Sequence, residues 1–270
     1  MKIVFAGIAA LLALAVAVTL IFAAGFSRGV ARLDARLAEA SPGAPRQDLP
    51  PEVAAFARRG LAGSDPARAL ALKQSAEMRL KPGAGWTALA ARQTIATARP
   101  GFAWLAEMRL GPLPVVRVLD SYADGAGLLD VRFFGAFRLD AYEGPEAALS
   151  EGLRYLAELP WSPDAILTNR AITWEMRAEG VAARMGTEGG PAEVVFTLDA
   201  AGDIVGVQAR GRPATLPDGR VVPLDWRGAF SDYAEIDGRR IPTRGEVGYV
   251  YPDGYESYFL GRVTALSAIE

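Results

Sequence analysis

The chain has 270 residues, 51% of them hydrophobic, with 29 Lys and Arg against 31 Asp and Glu for a formal net charge of −2. That is enough apolar mass for one membrane segment and a single folded domain, and no overall field draws nucleic acid or an anionic surface. The chain contains no His and no Cys, which removes imidazole bases, thiol nucleophiles, disulfides, zinc sites built on either residue and haem ligation through His or thiolate. No G-x-S-x-G, G-x-G-x-x-G, S-x-x-K or Walker A pattern is present, so an enzyme here would have to run on carboxylates, Tyr or Arg. A non-catalytic role with no cofactor is the expectation.

Residues 3–27, IVFAGIAALLALAVAVTLIFAAGFS, carry no charge. As a helix rising about 1.5 Å per residue they can cross a hydrocarbon core of about 30 Å. The apolar region of a cleaved signal peptide usually runs only about 7–15 residues, so the length favours an uncleaved anchor over residues 1–27, touching the membrane through residues 3–25. The flanking charges, Lys2 on one side and Arg28, Arg32 and Arg36 with Asp34 and Glu39 on the other, nearly balance. A short tail before a lone apolar segment behaves as a signal anchor, which places the globular part outside the cytoplasm on a single-pass protein of the bacterial inner membrane. Residues 28–69 turn to Ala, Pro and Arg, with Pro42, Pro45, Pro50 and Pro51. They read as a semi-extended tether with a short helix at Pro51–Arg59.

From residue 70 the apolar period becomes two. Phe102, Trp104, Ala106 and Met108 fall on one face, with Glu107 and Arg109 on the other. The habit repeats in Leu129, Val131 and Phe133 against Asp130 and Arg132, in Val194, Phe196 and Leu198, in Trp226, Gly228 and Phe230, and in Val247, Tyr249 and Tyr251 against Glu246. Compact turns separate these runs: ADG at 123–125, AAGD at 200–203, PDG at 217–219, IDG at 236–238 and PDG at 252–254. Asp-Gly supplies the positive φ angles that tight hairpins need. Residues 70–270 are therefore expected to be mainly β with one helix (α+β), an antiparallel meander curved into a half-barrel.

One stretch breaks the pattern. ALSEGLRYLAELPWSP, residues 148–163, reads as a helix near 146–159. Pro145 suits its first turn, Glu146 and Glu151 complement its N-terminal dipole, and Leu149, Leu153 and Leu156 recur at helical spacing. Arg154 and Glu158 pair across i,i+4 on the face assigned to water, where truncating Arg154 would be nearly silent. A large sheet twists, and its concave apolar face needs cover; the helix, followed by Trp161, is the expected lid.

The segments RPGFAWLAEMRL, LDSYADGAGLLDVRFFG, EGLRYLAELPWSPDAIL, FSDYAEIDGRRIPTRGEVGYVYPDG and YFLGRVT resemble the successive signatures of an uncharacterised bacterial domain-of-unknown-function family, across residues 70–268. In shape, a strand ending in RPGFAW followed by a strand, a DG turn and another strand is similar to periplasmic lipoprotein carriers of the outer-membrane localisation system. That resemblance implies a half-barrel lidded by helices over a hydrophobic cavity.

Asp120, Tyr122, Asp124 and Gly125 superficially match the start of a calcium loop, but the twelfth position is Val131 rather than a bidentate Glu, so a hairpin is expected. Asp232, Glu235 and Asp237, followed by Arg239, Arg240 and Arg244, read as cross-strand ion pairs of a solvated hairpin rather than as an acid–base pair. Half-barrels that are incompletely filled tend to hold ligand. The expected ligand contacts are Phe102, Trp104, Phe133, Trp161, Trp174, Trp226 and Tyr249, with Leu153 and Leu156 from the helix. The leading expectation is a lipid or lipoprotein acyl chain held between sheet and lid; the alternative is a structural or assembly partner of a membrane protein complex.

Overall fold

The structure, a computed structural model, describes residues 2–216 and 218–270. Two helices, α1 (Lys2–Leu37) and α2 (Pro51–Gly60), precede six strands: β1 (Ala69–Met78), β2 (Thr87–Ala96), β3 (Gly101–Leu110), β4 (Leu113–Ala123), β5 (Ala126–Phe133) and β6 (Phe137–Glu143). A helical segment follows, made of α3 (Pro145–Ala157), a 3-10 turn (Leu159–Trp161) and α4 (Pro163–Thr168). The chain then completes the sheet with β7 (Thr173–Arg177), β8 (Gly180–Thr187), β9 (Gly190–Leu198), β10 (Ile204–Thr215), β11 (Val221–Ile236), β12 (Arg239–Tyr251) and β13 (Gly254–Ile269).

All the strands join one antiparallel sheet of 13, in the order β6-β5-β4-β3-β2-β1-β13-β12-β11-β10-β9-β8-β7. The expected meander is present, in two halves joined by the β1–β13 ladder, where Ala69 faces Ile269. The Asp-Gly hairpins form as the residue types require: Asp124 and Gly125 lie at φ 54° and 91°, and Asp237 and Gly238 at 48° and 67°. The run 120–131 is thus the β4–β5 hairpin. Of the PDG turn at 217–219, Pro217 lies outside the described residues, and Gly219 has φ 84°.

The sheet stays open but curls until distant turns meet. The Glu188 amide donates to the Gly125 carbonyl at 3.4 Å, and the Tyr122 hydroxyl donates to the Gly186 carbonyl at 3.5 Å. The helical segment crosses the trough from one sheet edge to the other and covers the main core, which contains Leu153, Leu156 and Trp161 beside Trp104, Phe196 and Trp226. Close approach is bought with glycine: a Cβ on Gly127 would lie 2.3 Å from the Ala147 carbonyl oxygen, and one on Gly152 2.6 Å from Thr187 Cγ2.

The tether expected over 28–69 is largely absent as such. Helix α1 continues to Leu37, because Phe26, Val30, Leu33 and Leu37 extend an apolar stripe at helical spacing. That stripe packs on the convex face against Ala96, Ala103, Leu105 and Leu119 as a second small core. Residues 38–50 are irregular yet docked. The Arg46 amide donates to the Leu167 carbonyl at 2.8 Å, and its buried guanidinium donates to the Asn169 carbonyl at 2.9 Å. The short helix stands as α2. Val4–Leu37 is long and apolar enough to cross a membrane.

The far end of the helical segment is fixed by charge. Asp164, wholly buried, accepts from the Ala67 amide at 2.9 Å and from Arg239 Nε at 3.0 Å and Nη2 at 2.8 Å. Arg239 in turn donates to the Asp65 carbonyl at 2.7 Å. Removing one member of such a buried pair strands the other charge, so Asp164→Ala should cost about 3–5 kcal/mol. Thermal denaturation should then show a melting point lower by roughly 6–20 °C, at about 2–4 °C per kcal/mol for a domain of this size.

Candidate functional site

The sequence assigned Arg154 and Glu158 to water, and the structure encloses most of both, leaving their side chains 14% and 13% exposed. The helix α3 sits inside the trough rather than on a flat sheet, so nearly its whole circumference is enclosed, Glu151, Ser150 and Gly152 included. Positions 151, 154 and 158 share one face, and that face meets β2, β3 and β4.

Arg154 Nε donates to Glu158 Oε1 at 2.8 Å, and Arg154 Nη1 donates to Asp120 Oδ2. Its guanidinium carbon stands 4.9 Å from the Phe102 ring centre and 4.8 Å from that of Trp104. Glu158 Oε2 accepts from Gln93, Gln93 Oε1 accepts from Gln74 at 3.2 Å, and Gln74 Oε1 accepts from the Trp104 indole at 2.8 Å. A polar relay therefore runs from the lid across the concave faces of β1, β2 and β3.

A second guanidinium comes from the opposite wall. In β10 the alternation that turns Val207 and Ala209 inward would turn Arg212 outward. A bulge between Ala209 and Arg212, with Gly211 at φ 61°, shifts the phase and brings Arg212 inside. Arg212 Nη1 donates to the Tyr249 hydroxyl at 2.9 Å and the Tyr258 hydroxyl at 3.1 Å, and the Trp226 indole donates to the same Tyr258 oxygen at 3.1 Å. Arg212 Nη2 lies 3.8 Å from Glu151 Oε1.

Two carboxyls meet between these arginines. Burial, then the neighbouring Asp120 charge, pushes the Glu151 carboxyl well above the ordinary 4.5, against the pull of Arg212. The shift favours the protonated carboxyl in the folded state, beside the Asp120 carboxylate. Among the described residues, Asp120 Oδ1 and Glu151 Oε2 are buried oxygens with no hydrogen-bond partner. Arg154 and Arg212 stay charged: burial opposes this, but for Arg154 the carboxylates of Glu158 and Asp120 outweigh it, and for Arg212 the Tyr249 and Tyr258 hydroxyls and Glu151 do.

Beside this cluster is a partly open pocket of about 90 Å³, walled by Trp104, Trp161, Trp226, Phe230, Phe259 and Met78 and bordered by Arg154, Arg212, Asp120 and Glu158. Of the expected contacts, Trp104, Trp161 and Trp226 line it, while Phe102 and Tyr249 touch the arginines that border it. Leu153 and Leu156 pack in the main core away from it. Trp174 stacks on Phe196 with ring centres 6.1 Å apart. Phe133 lies at the β5–β6 turn, 38% exposed, against Phe134 at 4.2 Å. The acidic hairpin residues do not join the cavity: Asp232 pairs with Arg244 at 2.7 Å in solvent, Arg240 with Asp203, and Arg239 with Asp164.

Two outcomes follow. Truncation at Arg154 should not be silent: Arg154→Ala leaves the buried Asp120 and the largely enclosed Glu158 without their cation and should cost about 3–5 kcal/mol in chemical denaturation. The second concerns pH. The folded state keeps the Glu151 proton that the unfolded chain releases above about 4.5, so wild-type stability should fall as pH rises from that value. Glu151→Gln removes this titration. Its denaturation midpoint should gain on wild type steadily with pH, and parallel pH profiles would show Glu151 ionised in the fold.

No curated protein matches the chain in sequence. Solved structures of similar fold include a LolA superfamily protein from Nitrosomonas europaea, at 8% identity and TM-score 0.43 over 80% of this chain and 93% of that one. Another is a DUF1329 family protein from Desulfovibrio piger, at 11% identity and TM-score 0.41 over 80% and 91%. A third is a domain described as an outer membrane lipoprotein-sorting protein, from Vibrio parahaemolyticus, at 11% identity and TM-score 0.41 over 78% and 93%. The first and third bear the description to which the sequence resemblance pointed. A family model described as a family of unknown function, DUF6544, matches residues 40–261, and the chain belongs to that family.

Proposed function

We propose that this protein is a membrane-anchored binding module, without catalysis, that holds an amphipathic molecule such as a lipid or an acyl chain between the concave sheet and the α3–α4 lid. Helix α1 is the anchor in the bacterial inner membrane, and the sheet domain stands outside the cytoplasm. The observation that carries this reading is the make-up of the cavity: aromatic and Met walls on one side, and the guanidiniums of Arg154 and Arg212 with the carboxylates of Asp120 and Glu158 on the other. Such a site suits a ligand with an apolar body and a polar head that can both donate and accept hydrogen bonds.

The pocket, about 90 Å³, is smaller than the roughly 150 Å³ that accepts a benzene ring in an engineered core. In this state it takes only the end of a chain, so a full ligand enters as the lid lifts. Native mass spectrometry of the full chain, purified in a lipid-free detergent, should reveal a bound amphiphile. Met78→Trp, which narrows the cavity at its rim, should abolish that adduct without lowering the melting point. A wild-type protein that carries no amphiphile, and acquires none when mixed with its membrane lipids, would sink the proposal.

A further inference from the structure

Helix α1 leaves the sheet at a definite end. Its contact with the convex face finishes at Phe26, whose ring lies 4.8 Å from the Arg132 guanidinium carbon and 5.3 Å from that of Arg117. A Cβ on Gly135, at the β5–β6 turn, would lie 3.6 Å from Phe26 Cδ1. The helix's other end lies at the opposite turns, where Arg36 pairs with Asp124 and Leu37 packs under Gly101. The apolar stretch before Phe26 therefore projects past the end that carries the β3–β4 and β5–β6 turns.

Those two turns are apolar and exposed. The β3–β4 tip is LGPL, residues 110–113, with Leu110 74% and Leu113 59% exposed. The β5–β6 tip is FFGAF, residues 133–137, with Phe134 38% and Phe137 50% exposed, and Leu139 just beyond is 60% exposed. Neither tip holds a charge, and arginines flank both: Arg109 before the first, Arg132 and Arg138 around the second. Phe134 also adopts φ 52°, a left-handed conformation that a bulky aromatic residue rarely takes. Backbone strain spent on an exposed ring is characteristic of a working surface.

The lengths agree with a common plane. Phe133 pairs with Val116, and the β3–β4 tip continues to Leu113, about 10 Å further at roughly 3.3 Å per residue. Along α1 the same distance beyond Phe26 is about seven residues at about 1.5 Å each. The tip is thus level with residues near Thr19, leaving below it residues 3–18, roughly 24 Å of apolar helix, so that tips buried a few ångströms deep bring the span close to the roughly 30 Å of a bilayer core.

We infer that the β3–β4 and β5–β6 hairpin tips dip into the same bilayer that α1 crosses, so that the domain lies on the membrane at three points rather than swinging from one. The inference rests on the reading of α1 as a membrane anchor. Aromatic and Leu side chains enter the interfacial layer while the flanking arginines reach back to the headgroups.

The native chain has no Cys, so single cysteines report unambiguously. Leu113→Cys, Phe137→Cys, Leu12→Cys in α1 and Ala126→Cys at the opposite turn, each in the full chain, would carry a fluorophore. The proteins would be reconstituted in phosphatidylethanolamine–phosphatidylglycerol vesicles whose acyl chains bear nitroxides. Labels at 113 and 137 should be quenched several-fold more than the label at 126, and the label at 12 most of all. Quenching at 12 with positions 113 and 137 no different from 126 overturns the hairpin contact and leaves the anchor standing. Absence of quenching at 12 overturns both.

Discussion

A lid that crosses an entire curved sheet must be held in register, and here buried charge does that work at both ends. Asp164 grips Arg239, the Ala67 amide and, through Arg239, the Asp65 carbonyl. Arg154 grips Asp120 and Glu158 at the near end. Apolar contact alone would tolerate a helix sliding by a turn, because one leucine replaces another at little cost. An ion out of water does not tolerate it, since leaving its partner exposes the full penalty of desolvation. The positions of α2, the start of β1 and the first residues of β12 are all tied to that one carboxylate at 164.

The same charges explain why the site is small. Lifting α3 alone would pull Arg154 from Asp120 while leaving Glu158 attached to the helix and Gln93 to the sheet. Water or a ligand head has to replace those partners as the lid moves. A purely hydrocarbon ligand offers no such replacement, whereas a head with oxygen acceptors satisfies the guanidiniums and lets the apolar tail occupy the aromatic wall.

Much of the architecture was legible because it depends on local rules. Asp-Gly pairs demand positive φ, and alternation in stretches such as 102–108 fixes which face is buried, so strands and hairpins can be read from the chain. The single helix was legible from its leucines and Pro145. What escaped depends on the curl of the sheet, which no local window contains. Arg154 and Glu158 form the i,i+4 pair that a flat-packed helix would turn to solvent, yet the trough encloses that face. The small residues Ala147, Ala148 and Ser150 outside the leucine stripe, with Gly152 beside it, were the available signal of close approach. Arg212 was hidden by a phase shift, and Gly211 before it was the mark of the bulge. Residues 28–37 looked like linker by composition, although the spacing of Phe26, Val30, Leu33 and Leu37 already continued the helix. Phe133 obeyed the strand alternation but sits where the strand has run past the core.

The ladder between β1 and β13 has a consequence for biosynthesis. Ala69 and Ile269 meet at the middle of the sheet, so the first strand made finds its second neighbour only after the last has appeared. Closing so long a loop is slow, and the earlier strands wait meanwhile with open edges. Open edges on an unfinished sheet recruit strands from other chains. A chain stopped short of β13 should therefore be an aggregation hazard rather than a smaller version of the domain.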